Sequence, residues 1–289
     1  MRRETIGFIG LGNIGKPMAD NIAQAGFDMA VYDVAGTPER APEGATVGGS
    51  AADVAGQSTA IFLSLPTIEA IAAVVEEIVE SDAGDDVIVV NTSTVSPETS
   101  VAAHERLTAR GIGFVDAPIS GGVLKARDRT LTVIYSGDEA AFARLEPVFQ
   151  AISEHIFRVG DGAGQAQRMK LLNNYLAIIA MVANSEALAY GAAGGLDMKT
   201  MLDVINVSSG QNFMSSTWFP RCLLSGVYQC WSTAGIIHKD LSLFVKSAAA
   251  EHRGHHAARA ALDVLEAFAA EDPEVDQMYI YDFIRDGKG

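Results

Sequence analysis

Between Ile6 and Val159, short runs of β-branched and apolar residues alternate with longer stretches whose apolar positions recur at helical spacing. The runs Ile6–Ile9, Met29–Tyr32, Ala60–Leu65, Val87–Val90, Gly113–Asp116 and Thr130–Tyr135 read as strands. Strands separated by helices of ten or more residues predict βαβ units and a largely parallel sheet. Past Gly160 the strand signals fade, and Gly162-Ala163-Gly164 breaks the pattern. A helical pattern then runs from about Gln165 to Ala193 and stops at Gly194-Gly195. Further helices are expected near 197–207, 232–251, 255–270 and 275–285. The expected fold is an α/β domain over 1–162 with a mostly parallel sheet. An all-α domain over 163–289 follows, joined through the long helix.

The first strand enters Gly10-Leu11-Gly12-Asn13-Ile14-Gly15, a G-x-G-x-x-G arrangement followed by a helical stretch, Lys16–Ala25. In that setting Gly10 permits the tight turn, Gly12 lets backbone approach a pyrophosphate, and Gly15 lets helix and strand pack closely. The phosphates would sit on free N–H groups at the helix start. The second strand leads into Asp33, whose carboxylate would accept hydrogen bonds from ribose hydroxyls and repel a 2′-phosphate. The expectation is a Rossmann-like domain that takes NAD, with NADP second because Arg40 lies close in sequence. A ligand-free glycine turn is the competing explanation. The coincidence of strand, turn, helix and acid stands against it.

Net charge of −15 disfavours nucleic acid and anionic membranes as partners, yet leaves room for a local cationic pocket. Cys222 and Cys230, the only cysteines, make no disulfide framework and no zinc spacing, so no metal is expected and a reducing cytoplasm fits. Arg2 and Arg3 precede only a short apolar run, which predicts a strand and not a signal peptide. The uncharged stretch Leu171–Ser185 contains Asn173, Asn174 and Asn184, and at that length predicts a buried helix instead of a bilayer span.

Two segments are dense in polar chemistry. Asp116-Ala117-Pro118-Ile119-Ser120-Gly121-Gly122 follows a strand. It is either a plain βα turn or a backbone nest for a substrate carboxylate, with the Ser120 hydroxyl as an added donor. In the second, Lys170 and Asn174 are four residues apart on one helix, with Asn173 beside them. Lys170 is either a lysine at an exposed helix start or, if desolvated towards a neutral amine, a general acid or base.

At this point the chain resembles the β-hydroxyacid dehydrogenase family, which includes 3-hydroxyisobutyrate dehydrogenase and tartronate semialdehyde reductase. The likeness rests on Gly7 to Ala19, Asn91 to Pro97, Asp116 to Gly122, Gly162 to Asn174, Glu186-Ala187-Leu188-Ala189, Ser208-Ser209-Gly210 and Lys239-Asp240-Leu241. It implies NAD-linked interconversion of a small β-hydroxy acid and its semialdehyde by direct hydride transfer. It implies that Lys170 is the catalytic lysine, that Asn174 orients substrate, and that Ser120, Gly121 and Gly122 bind its carboxylate. Leu65, Pro66 and Thr94 match cofactor-lining positions. Lys239 matches the lysine at the nicotinamide end, and Trp231 falls where an aromatic often lies against the cofactor. A homodimer or homotetramer is implied as well.

The chain departs from the pattern at Ile14, which replaces a commoner methionine, at Val123–Arg129, where small residues are usual, and at Gln211–Met214. The last two put the substrate in question more than the chemistry. Lys125, Arg127 and Arg129 either recognise a second anionic group or form a solvated helix face. His252, His255 and His256 read as a solvated polar face, His238 as packing or capping, and Lys246 as surface. Competing functions are an imine reductase, a sulfolactaldehyde-type reductase and a non-catalytic dinucleotide-binding module. Lys170 argues against the first and last, because such proteins generally lose that lysine. A phosphogluconate-type enzyme would need a larger helical domain.

Overall fold

The computed structural model describes residues 4–288, so Met1–Arg3, including the two arginines weighed above, and Gly289 lie outside the described residues. The chain forms two compact units that divide between Lys170 and Leu171.

The first unit is built on a nine-stranded sheet. Its elements are β1 (Thr5–Ile9), α1 (Gly15–Gln24), β2 (Asp28–Tyr32), β3 (Thr46–Val47), α2 (Ala51–Ala55), β4 (Ala60–Leu63), α3 (Ile68–Glu80), β5 (Ile88–Asn91), α4 (Pro97–Thr108), β6 (Gly113–Asp116), β7 (Ile119–Ser120), α5 (Gly122–Arg127), β8 (Leu131–Ser136), α6 (Glu139–Gln150) and β9 (Ser153–Gly160). Strands β3-β2-β1-β4-β5-β6 are adjacent in that order and all parallel, the doubly wound arrangement. β8 meets β6 antiparallel through the single pair Asp116–Ser136. β7 is antiparallel to β8, and β9 is parallel to it.

The central strands are apolar because both faces are covered. On one face Phe8, Phe62 and Val90 pack with Met18 and Ile22 of α1 and with Leu145, Val148 and Phe149 of α6. On the other, Ile9, Ile61 and Val89 pack with Val54 of α2, Ile71, Val75 and Ile78 of α3, and Leu107 of α4. Helices α3, α4 and α6 start on side-chain caps: Thr67 accepts from Ala70 N–H, Ser96 from Thr99 N–H with Pro97 opening α4, and Asp138 from Ala140 and Ala141 N–H.

Three strands escape the sequence pattern. β3 and β7 have two residues each, too short for any periodicity. β9 has eight but buries few of them and leaves Phe157 exposed, so no apolar face marks it.

α7 (Gln165–Ala193) begins in the first unit and continues into the second. The second unit adds α8 (Met198–Asn206), a π-helical turn (Met214–Trp218) leading into α9 (Phe219–Leu223), α10 (Ala234–Ala250), α11 (His256–Glu271), a 3-10 turn (Gln277–Tyr279) and α12 (Ile280–Arg285). Ile178, Met181, Val182 and Leu188 of α7 pack in its core with Phe219, Leu241, Leu262, Leu265 and Phe283. The 29 residues of α7 are long and apolar enough, by length and composition, to cross a membrane. The uncharged run alone made the stretch look too short for that. Its inward face packs in the core of the second unit, while Leu172, Leu176 and Tyr190 stay exposed. The segment around α9 carries little helical signal in its sequence, because Ser215, Ser216, Thr217 and Pro220 are weak helix formers.

Candidate active site

Register lines up the loops that matter. Ile9 pairs with Tyr32 and Leu63, Leu63 with Asn91, and Asn91 with Asp116. The loops leaving β1, β4, β5 and β6 therefore emerge from one edge of the sheet, where doubly wound folds bind ligands.

Gly10 has φ +96°, and its amide donates to Tyr32 O at 2.9 Å. A Cβ at Gly10 would lie 2.2 Å from Ser64 O, and one at Gly15 would lie 1.9 Å from Gly10 O, so neither position admits a side chain. A Cβ at Gly12 would meet nothing within 4 Å, so the loop is open where a pyrophosphate must approach. Ile14 supplies no side-chain cap to α1, and no acid occupies its first turn, which suits an anion at that helix end. These residues fit a dinucleotide.

Asp33 is buried. Its Oδ2 accepts from Leu11 N–H at 2.6 Å, fastening the glycine loop, and its Oδ1 accepts from Ala35 N–H at 2.8 Å. Arg40 Nη1 lies 3.3 Å from the same Oδ1, so the arginine weighed in favour of NADP is paired with the acid weighed in favour of NAD.

Leu65 is half-buried; its amide donates to Ser93 Oγ at 2.8 Å, and its side chain reaches the position of a Gly10 Cβ. Pro66 is exposed and Thr94 half-buried. Ser120 sits in β7. Gly121 and Gly122 follow with φ +135° and +71°, consecutive left-handed positions that turn the backbone into α5.

Lys170 is 7% exposed, on the inward face of α7 with Ala166 and Gln167, both 0% exposed. It is not a lysine at an exposed helix start. Three residues that sequence reasoning passed over surround this helix start. Asp116 is fully buried, and its Oδ2 accepts from Ser100 Oγ at 2.5 Å and Gly164 N–H at 2.6 Å. Its Oδ1 accepts from Gln167 Nε2 at 3.1 Å. Gln167 Nε2 also donates to Ser93 O at 3.0 Å, while its Oε1 accepts from Val95 N–H at 3.1 Å. Ser136 Oγ accepts from Ala166 N–H at 3.0 Å. Burial holds the Asp116 carboxyl above the ordinary carboxylate range, and the hydrogen bonds from Ser100, Gly164, Gln167 and Asn91 offset that only in part. The signal available in sequence was a carboxylate ending an otherwise apolar strand.

In the second unit, Asn174 Nδ2 donates to Asp240 Oδ2 at 2.8 Å, and Lys239 Nζ lies 3.2 Å from Asp240 Oδ1. Asn173 is exposed, with its amide 3.5 Å from Asn174 Oδ1. Asp240, buried beside them, was legible only as part of the Lys239-Asp240-Leu241 motif. Trp231 has φ +59°, and its amide donates to Asp276 Oδ2 at 3.1 Å, as does that of Cys230 at 2.6 Å. Burial pushes the Cys230 thiol up, which unfits it as a nucleophile, and Cys222 is also buried and free.

Arg129 is occupied elsewhere in the first unit: it bonds Asn21 Oδ1 at 3.2 Å and Gln24 Oε1 at 2.5 Å on α1. Lys125 is exposed, and its methylene stem lies along Gly121. Arg127 is exposed too. His252 and His256 are exposed and His238 half-buried; His255 Nδ1 lies 2.8 Å from Arg253 O. Among the described residues, no group of three or more His, Cys, Asp or Glu is arranged to hold a metal.

Comparison with known proteins gives the same outline. A family model described as the NAD binding domain of 6-phosphogluconate dehydrogenase matches residues 5–160. A second, described as NAD-binding of NADP-dependent 3-hydroxyisobutyrate dehydrogenase, matches 164–284. The 2-(hydroxymethyl)glutarate dehydrogenase of Eubacterium barkeri is 34% identical over 251 residues, 84% of this chain and 81% of that one. The 3-hydroxyisobutyrate dehydrogenase of Pseudomonas aeruginosa is 35% identical over 260 residues, 85% of each. The solved structure of Mycobacterium tuberculosis 3-hydroxyisobutyrate dehydrogenase with L-serine covers 98% of this chain and 99% of its own, at TM-score 0.88 and 26% identity. An imine reductase of Streptomyces aurantiacus, at TM-score 0.66 and 20% identity, shares the fold alone.

Proposed function

The chain belongs to the β-hydroxyacid dehydrogenase family, and from that premise we propose that it oxidises a small β-hydroxy acid to its semialdehyde, or runs the reverse, with Lys170 as general acid/base. The observation that carries this reading is Lys170 itself. It is a buried lysine on a helix whose first turn is bonded to the sheet edge that also bears the glycine loop.

NAD would supply the hydride acceptor for oxidation, and its reduced form the hydride donor for the reverse. The protein does the rest. Gly10, Leu11, Gly12, Asn13, Ile14 and Gly15 would hold the NAD pyrophosphate at the start of α1, and Asp33 would take its ribose hydroxyls. Leu65, Pro66 and Thr94 line the same edge. Ser120 Oγ and the amides of Gly121 and Gly122 take the substrate carboxylate. The neutral amine of Lys170 takes the hydroxyl proton in oxidation, and its ammonium returns a proton to the carbonyl oxygen in reduction. Asn174, its amide fixed by Asp240, orients the substrate with Asn173 beside it. Trp231 and Lys239 keep the cofactor-facing roles that the resemblance gives them.

Two finer readings belong to the same proposal. Lys125, beside the carboxylate loop, favours a substrate with a second anionic group, as the 2-(hydroxymethyl)glutarate enzyme's name describes for that relative. A homodimer or homotetramer in the cytoplasm fits the reduced cysteines and the exposed apolar residues of α7.

The deciding experiment is an NAD-reduction screen across β-hydroxy acids at alkaline pH, repeated with NADP and with a cyclic imine. Turnover of hydroxy acids with NAD supports the reading; a clear NADP preference overturns the role of Asp33. Lys170→Ala should lower kcat by about 10²-fold or more, and a smaller loss removes the lysine from the chemistry.

A further inference from the structure

Lys170 can act only if its amine is held at a fixed place relative to the loops that carry cofactor and substrate, since a misplacement near 1 Å costs about 10²-fold in rate. The bonds that set this place converge on one carboxylate. Asp116 ends β6, four residues before Ser120, so its backbone launches the loop proposed to bind the substrate carboxylate. Its Oδ2 holds Gly164 N–H, at the start of the helix that bears Lys170. Its Oδ1 holds Gln167, one turn before Lys170 on the same inward face. Gln167 in turn clamps Ser93 O and Val95 N–H, the two residues that flank Thr94.

We propose that Asp116 and Gln167 are positioning residues for proton transfer. The pair fixes the register of the first turn of α7 against the Ser93–Val95 loop and the Ser120–Gly122 loop, and so fixes the place of Lys170. The charge of Asp116 faces the positive end of a helix, and each of its oxygens is met by donors, so the buried carboxylate is satisfied. The Gln167 amide is also fully used, with donors on Asp116 and Ser93 and its acceptor on Val95. Neither side chain is exposed to touch substrate. Their effect passes through the backbone and through Lys170.

The proposal rests on the reading of Lys170 as the proton-transfer group, and the test separates the two. Asp116→Asn, which keeps the shape and removes the charge, and Gln167→Leu, which removes the clamp without burying a new charge, are compared with Ser100→Ala. The last removes one Asp116 donor from α4 and leaves the bonds to α7 intact. Readouts are kcat and KM across pH, NAD affinity by fluorescence, and thermal stability. The expected result is a kcat loss of tenfold to about 10²-fold in the first two variants, with NAD affinity within about twofold of wild type. The pH dependence of kcat should also move. Ser100→Ala should lose stability while its pH profile stays put. The proposal is overturned if Asp116→Asn and Gln167→Leu keep the wild-type pH profile, or if their kcat losses merely track the stability loss seen in Ser100→Ala. If Lys170→Ala itself retains turnover, the reading of Lys170 fails and the positioning role falls with it. If Lys170→Ala is inactive and Gln167→Leu behaves as wild type, the positioning role alone fails.

Discussion

At the residue scale, the informative pair is Gly121 and Lys125. A Cβ at Gly121 would lie 2.8 Å from both Cβ and Cδ of Lys125. Glycine is thus required twice over, by its φ of +135° and by the lysine stem laid across it. The stem is laid along the loop where the substrate carboxylate is proposed to sit. Lys125→Ala should lower kcat/KM for 2-(hydroxymethyl)glutarate about tenfold, the scale of one charge-assisted contact, and leave 3-hydroxyisobutyrate within about twofold. Parallel steady-state assays decide it, and equal losses on both substrates would remove Lys125 from specificity. The three cationic residues of this segment looked alike in the sequence, but the structure separates them. Arg129 adopts φ +61° and is bound to α1, a conformation and a partner that no spacing rule announces. Asp116 was hidden for a similar reason. A buried carboxylate declares itself through its donors, and those come from residues 16 to 51 positions away in the chain.

At the element scale, parallel strands buried on both faces carry a strong signal, so β1, β2, β4, β5 and β6 were readable within a residue or two, and the glycine loop with them. Elements held by long-range bonds were not. The start of the first unit shows how such bonds work. Arg144 of α6 donates Nε to Glu4 Oε1 at 2.9 Å, Nη1 to Asp86 O at 2.8 Å and Nη2 to Thr59 O at 3.1 Å. One guanidinium thereby ties a helix to the chain just before β1, β4 and β5. Its hydrogen bonds hold the Glu4 carboxyl below the ordinary carboxylate range, against the opposing effect of burial. A lowered folded pKa means stability that is present at neutral pH and lost as pH falls through that lowered value. Because Glu4 is partly solvated, Glu4→Gln should cost no more than about 1 kcal/mol at pH 7. The difference from wild type in urea unfolding should fade on acidification below the ordinary carboxylate range. A difference that persists in acid would show that the contact acts through packing and not through charge.

At the scale of the whole molecule, α7 sets the remaining question. Its inward residues in the second unit are accounted for by core partners, but Leu172, Leu176 and Tyr190 are 45%, 57% and 85% exposed. A helix that is apolar all round needs cover on every side. A net charge of −15 disfavours nucleic acid or an anionic membrane as that cover. A second copy of the chain would supply it without new chemistry, since a two-fold axis would set the same apolar patch against itself. The chain should therefore sediment as a dimer or tetramer at micromolar concentration. Leu176→Glu should shift it to a smaller species, because a carboxylate on each copy would be buried against its mate. NAD binding by the first unit should survive that change, since the glycine loop and Asp33 lie in a unit with its own core. Analytical ultracentrifugation with NAD titration reads both quantities at once. A wild-type monomer, or an assembly that Leu176→Glu leaves intact, would show that this face of α7 is not where copies meet.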